Sequence, residues 1–198
     1  MPKVKSLLTI TAPFVAVIDR LSAWIGHGLR WLIFAAVLLS AGNAIVRKVF
    51  ATSSNALLEG QWYLFSAVFM LGAGYVFLHN AHVRIDFISA RLTAKTRNII
   101  DAAGIVLILI PTSFFVAWLS WPLFSIAFVS GEMSQNAGGL IRWPVLFTIP
   151  LGMGLLLLQA MAELHKRLSF LLDIGPDPLA VDGNKDIDLV KDDKEAST

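Results

Sequence analysis

Trp143-Pro144-Val145-Leu146-Phe147-Thr148-Ile149-Pro150-Leu151-Gly152-Met153-Gly154-Leu155-Leu156-Leu157-Leu158-Gln159-Ala160-Met161-Ala162-Glu163-Leu164 decides the fold. Its one charged residue, Glu163, comes at the end of the run. An α-helix rises about 1.5 Å per residue, so roughly 20 apolar residues cross a bilayer core of about 30 Å. The same criterion selects three earlier stretches. The expected spans are therefore about 29–46, 57–79, 99–121 and 143–164. Composition agrees. Apolar residues make up 56% of the chain and charged residues 15%, against about 25% charged in a typical globular protein. The expected fold is all-α: an integral membrane four-helix bundle with an N-terminal amphipathic interfacial helix.

The sequence divides into residues 1–28, an N-terminal segment with the interfacial helix; 29–172, the four-span membrane domain; and 173–198, an acidic tail. The tail carries eight acids and three lysines, so the net charge of +2 hides a basic body. Its mixed charges and its Gly175-Pro176-Asp177-Pro178 start predict a disordered cytoplasmic end. The absence of cysteine excludes disulfides, cysteine–zinc sites, iron–sulfur clusters and thiol catalysis. The basic residues are scattered around apolar runs, which argues against nucleic-acid binding.

Lysine and arginine set the expected orientation. Lys3, Lys5, Arg20, Arg84, Arg91, Lys95, Arg97, Lys166 and Arg167 fall on one side, with Arg30 near it; Arg47, Lys48 and Arg142 fall on the other. Both termini are thus expected in the cytoplasm of a multi-pass protein. Trp24 and Trp31 mark the inner interface and Trp62, Trp118, Trp121 and Trp143 the outer one, as aromatic belts do. No small-residue cleavage site follows Met1-Pro2-Lys3, so the first span is expected to be a retained anchor.

Phe14, Val15, Val17, Ile18, Leu21, Trp24 and Ile25 follow a 3.6-residue period, with Asp19, Arg20 and Ser22 off the stripe. Pro13 suits a first helical turn, and Gly26-His27-Gly28 reads as a hinge into span one. Such a helix lies in the inner-leaflet interface; packing against its own bundle is the alternative. A shorter version starts at Asp86, a candidate N-cap before Phe87–Leu92. Pro111 should bend span three or be compensated locally.

Catalytic constellations are lacking: there is no phosphate loop, nucleophile elbow or His-Glu metal helix. His27, His79, His82 and His165 all fall near the inner interface, where hydrogen bonding to headgroups or backbone outweighs haem or metal ligation. Ionisable groups in spans are costly and usually paired. Glu59 opens span two and Arg47 closes span one on the same side, so they either pair within the chain or reach a partner. Asn43, one turn before Arg47, can donate across a helix interface. Gln159, Glu163 and Arg167 form a polar line down span four, serving either an intrahelical pair or a subunit interface. Ala36, Ser40 and Ala44, then Gly72-Ala73-Gly74, then Gly152 and Gly154 offer places for close helix approach. No internal repeat or polar midplane marks a transporter working alone.

Several motifs in order carry a resemblance. Asn43-Ala44-Ile45-Val46-Arg47 ends span one, Glu59-x-x-Trp62-Tyr63 opens span two, and Gly72-Ala73-Gly74-Tyr75 leads to His82-Val83-Arg84-Ile85-Asp86. Then come Gly131-Glu132-Met133-Ser134-Gln135-Asn136-Ala137-Gly138-Gly139-Leu140-Ile141-Arg142-Trp143-Pro144 and Ile149-Pro150-Leu151-Gly152. Over most of residues 14–170 the chain resembles the small membrane subunit (DctQ-like) of tripartite ATP-independent periplasmic, or TRAP, transporters. The resemblance implies a non-enzymatic protein without cofactor in the bacterial inner membrane. It also implies three partners: a large DctM-like subunit that carries substrate and sodium, a periplasmic substrate-binding protein, and membrane lipid. The implied function is to scaffold sodium-coupled uptake of a small organic anion such as a C4-dicarboxylate or 2-oxo acid. By the same resemblance Arg47, Glu59, Glu132 and Arg142 belong to the outer surface. Asn43, Gly72, Gly74, His82, Asp86, Gln159 and Glu163 stand as structural or subunit-interface candidates. A membrane anchor of a redox enzyme is the alternative reading.

Overall fold

A computed structural model describes residues 2–51, 54–79 and 92–179, with 2–7, 9 and 10 as backbone only. Four helices account for almost all of it: α1 (Pro2–Phe50), α2 (Asn55–Leu78), α3 (Ala94–Ser130) and α4 (Trp143–Leu171). Each is long and apolar enough to cross a membrane. Among the described residues the only strand-like pairing is an isolated antiparallel bridge between Met133 and Ile141.

The chain reverses after each helix, so the bundle has two ends. The loop end holds the α1–α2 link and the 131–142 hairpin. The terminal end holds the early turns of α1, the end of α2, the start of α3 and the end of α4. α4 is the central helix and packs against the other three, while α1 and α2 also pack on each other. Glycines permit this closeness. A Cβ at Gly152 would come 2.4 Å from the Met70 carbonyl oxygen of α2, and one at Gly72 would meet Leu29 at 3.1 Å. Backbones can approach this closely only where a side chain is missing.

Three features correct the sequence reading. The helix begins before Pro13 and continues through Gly26-His27-Gly28, so there is no hinge. Gly26 is there for packing: a Cβ would lie 2.1 Å from the Tyr75 ring. The apolar stripe of α1 is also split between two surfaces. Val15 and Ile18 are buried with Ala162 of α4, whereas Phe14, Val17 and Trp24 face outward. This segment packs against its own bundle, because Ser22 and Asp19 have polar partners on α4. In α3, five residues before Pro111 form a π-helical turn, Ile105–Leu109, and the Ile110 N–H reaches back to the Ile105 carbonyl. The wider turn sits next to Pro111, the residue that has no N–H to donate, and both are recognised causes of a break in a helix's regular ladder.

The third correction concerns the tail. Residues 173–179 fold back against the start of α3. Leu179 is buried, and the Asp177 carboxylate takes 2.9 Å and 2.7 Å bonds from Arg97 and Asn98. Pro176 and Pro178 limit the backbone freedom that this docking removes. The expectations for His82, Asp86, the 87–91 segment and residues 180–198 lie outside the described residues.

Candidate functional site

The polar side chains of the bundle gather in three places. At the terminal end Gln159, Glu163 and Arg167 share one face of α4 and are all buried. Ser22 Oγ donates to Gln159 Oε1 at 2.7 Å, and Gln159 Nε2 donates to Asp19 Oδ1 at 3.0 Å. Lys166 Nζ bridges Asp19 at 2.8 Å and Glu163 at 2.7 Å. Arg167 Nη1 binds Glu163 Oε2 at 2.6 Å, while Nη2 reaches Asp101 of α3 at 3.4 Å. Its guanidinium also lies 5.9 Å from the Phe77 ring centre, over α2.

One network thus joins α1, α3 and α4, with an aromatic face of α2 against it. Buried ions cost several kcal/mol each to desolvate unless they are paired and hydrogen-bonded, and here the pairing is mutual. The sequence line Gln159–Glu163–Arg167 is therefore satisfied inside the chain. Sequence reasoning missed Asp19, Ser22, Asp101 and Lys166 as its partners. The available signal was the spacing of Val15, Ser22, Gly26 and Leu29, which places small and polar residues on the buried stripe of α1 instead of on its solvent face.

At the loop end Glu59 is the organising residue. Its carboxylate accepts from the Ser134 hydroxyl, from Asn136 Nδ2 at 2.7 Å and from the Leu140 N–H at 2.7 Å. Tyr63 Oη donates to the Ile141 carbonyl at 3.1 Å, and Asn55 Nδ2 to that of Ala137 at 2.9 Å. The hairpin is closed by Ser134 N–H to Leu140 O and Arg142 N–H to Glu132 O, both 2.9 Å. Arg142 also pairs with Glu132. Gly131 and Gly138 have φ of 63° and 71°, a left-handed conformation that glycine adopts without strain. Above this hairpin lies a cleft of about 450 Å³ lined by Glu59, Trp62, Tyr63, Asn136 and Arg142.

Arg47 takes no part in this arrangement. It is exposed and has no ion pair among the described residues, so the pairing considered for Arg47 and Glu59 is not formed; the hairpin holds Glu59 instead. Asn43 is buried, and its side-chain oxygen has no hydrogen-bond donor among the described residues. Gly72 and Gly74 are both buried within α2. Of the small residues of span one, Ala36 is fully buried and Ala44 exposed.

The three described histidines make backbone and ring contacts. His27 Nδ1–H donates to the Ala23 carbonyl at 2.6 Å, His165 Nε2–H to that of Leu8 at 3.0 Å, and His79 stacks edge-on against Tyr75. The third polar site is the tail latch. Burial alone would raise the Asp177 carboxyl, but hydrogen bonds from Asn98 and the Leu179 N–H, together with Arg97, hold it below its ordinary value.

No curated protein matches the chain. A family does: the tripartite ATP-independent periplasmic transporters, DctQ component, matches residues 36–170. That stretch takes in the last part of α1, residues 36–50, all of α2 and α3, the hairpin and nearly all of α4. Members are transporter components, not enzymes. Four helices long and apolar enough to cross a membrane agree with a family match that covers more than half of the sequence: this chain belongs to the DctQ family, as a small membrane subunit of a TRAP transporter.

Proposed function

We propose that this subunit is a static brace for a large DctM-like membrane subunit in the bacterial inner membrane. The complex performs sodium-coupled, binding-protein-dependent uptake of a small organic carboxylate. Both termini face the cytoplasm, so the 131–142 hairpin faces the periplasm beside the docked binding protein. Family membership over residues 36–170 carries the reading. The distribution of polar groups supports it. The ion-paired residues sit at the two ends of the bundle, and the α2–α4 contact between them is made by Gly152 and the Met70 backbone. A transport site requires substrate-binding groups near the midplane. A brace requires stiffness and an apolar outer wall. The outward residues Phe34, Val37, Leu38 and Ile45 of α1 and Leu107, Phe115, Leu119 and Ile126 of α3 supply such walls.

The test is mild-detergent purification of the tagged chain from its native membrane, with mass identification of what accompanies it. A stoichiometric many-span partner supports the brace. Recovery alone, or with a soluble redox subunit and a haem band, rejects it. For the hairpin, Glu132→Lys with Arg142→Glu should weaken uptake and binding-protein affinity; unchanged values would remove the docking role.

A further inference from the structure

Cations at the terminal end fall into two groups: Lys95, Arg97, Lys166 and Arg167 have carboxylate partners, and Arg20 and Arg30, both on α1, have none among the described residues. Arg30 lies within the first membrane-crossing helix and has no carboxylate partner among the described residues. The packing of α1 on α2 sets its depth. Leu29 meets Gly72, and Leu71 lines the same groove as Arg30, so Arg30 lies level with α2 residues that precede the helix end at Leu78. At 1.5 Å per residue, that is about 10 Å inside the end of α2. An arginine at such a depth is expensive unless an anion meets it. Its side chain turns back toward the terminal end, with Nε donating to the His27 carbonyl at 3.4 Å, the direction in which arginine snorkels to reach an interface.

The surroundings identify the anion. Trp24 and Trp31, 75% and 74% exposed, flank Arg30 on a groove of about 550 Å³ whose floor includes Gly28, Leu29 and Leu71. A Cβ at Gly28 would meet nothing within 4 Å, so the helix surface is notched there. His27 spends Nδ1 on the Ala23 carbonyl, leaving Nε2 on the exposed side. A guanidinium and an imidazole lie between two interfacial indoles, above an apolar floor. That order of chemistry matches a phospholipid: phosphate at the guanidinium, glycerol at the indoles, acyl chain along the notch.

We propose that Arg30, His27, Trp24 and Trp31 form a binding site for the headgroup phosphate of an anionic phospholipid, which anchors α1 at the inner leaflet. The site is independent of the transporter assignment, because it requires only the membrane.

The test is native mass spectrometry of the full chain, alone and with its large subunit, in maltoside micelles titrated with phosphatidylglycerol or phosphatidylcholine. The wild type should retain one phosphatidylglycerol in preference to phosphatidylcholine. Arg30→Gln should lower that retention about five-fold, Arg30→Lys should keep most of it, and Lys48→Gln at the opposite end should change nothing. Gly28→Leu fills the notch with every charge in place and should also release the lipid, so the proposal stays testable if Arg30→Gln fails to accumulate. Undiminished retention in Gly28→Leu, or in Arg30→Gln, overturns the site. So does an Arg30→Gln protein that loses its large subunit but keeps its lipid, because the partner of Arg30 would then be a protein carboxylate.

Discussion

The two ends of the bundle solve the same problem in different ways. At the terminal end the charges are cross-braced between helices: Asp19 on α1, Asp101 on α3, and Glu163, Lys166 and Arg167 on α4 form one network. At the loop end Glu59 spends its carboxylate on a hairpin that is next in sequence to α4, and among the described residues no ion pair there involves α1. Polar groups thus tie helix to helix at one end and shape a surface at the other. Damage to the first should loosen the bundle as a whole. Damage to the second should change the hairpin and leave the helices in place.

Breaking the cross-brace has the largest expected effect. Glu163→Leu takes from the buried Arg167 guanidinium its 2.6 Å carboxylate partner and removes one of the two carboxylates that hold Lys166. Removing one partner of a buried ion pair costs about 3–5 kcal/mol. Thermal unfolding in detergent should show a correspondingly large loss, with substantial recovery in Glu163→Leu/Arg167→Leu, where Lys166 keeps Asp19. A double variant no better than the single one would mean that the network is not mutually compensating. Next in size is Gly152→Ala. Its Cβ must displace the Met70 backbone, which lies 2.4 Å away, so α2 and α4 must separate. Overpacking of this kind costs about 1–3 kcal/mol. Gly154→Ala is the matched control, because a Cβ there meets nothing within 4 Å; its melting temperature should not fall.

At the loop end, Glu59→Leu leaves the Leu140 N–H and the Asn136 amide without their acceptor. Unsatisfied groups of this kind cost about 1–3 kcal/mol when buried and less when partly wet. Hydrogen exchange should therefore rise across residues 132–142, while the melting temperature moves less than in Glu163→Leu. A global loss as large as that of Glu163→Leu would erase the distinction between the ends.

The sequence made the helices legible because each span is a long apolar run whose length alone identifies it. Partners were harder to read, because they depend on how helices rotate against one another. Gln159, Glu163 and Arg167 declared themselves by their spacing, but nothing local linked them to Asp19 or Asp101, which are far away in the chain. For α1 the local signal misled. Its apolar stripe is wide enough to serve two surfaces, so the buried half could not be told from the outward half. Glu59 was recognisable as a polar group needing a partner, but the hairpin that satisfies it forms only when Gly131 and Gly138 turn the chain back.

The tail latch is the weakest tie and sharpens the comparison most finely. Asp177 binds Arg97 and Asn98, and its carboxyl is held below its ordinary value. A carboxyl depressed by folding stabilises the docked state at pH values above its unpaired value of about 4, and the contribution disappears as pH falls through the lowered one. The latch should therefore stay closed at pH 5 and open only in stronger acid. Limited proteolysis beyond Leu171, followed from about pH 7 to pH 3, reads this directly with an acid-tolerant protease. Asp177→Asn should expose the same segment at every pH, at a cost of about 1 kcal/mol to the docked state, and leave the melting of the bundle unchanged. Opening already between pH 7 and pH 5 would mean that the carboxyl is raised by burial and that Asn98 and Arg97 do not hold it. Equal protection in Asp177→Asn would assign the docking to Leu179 and the prolines instead.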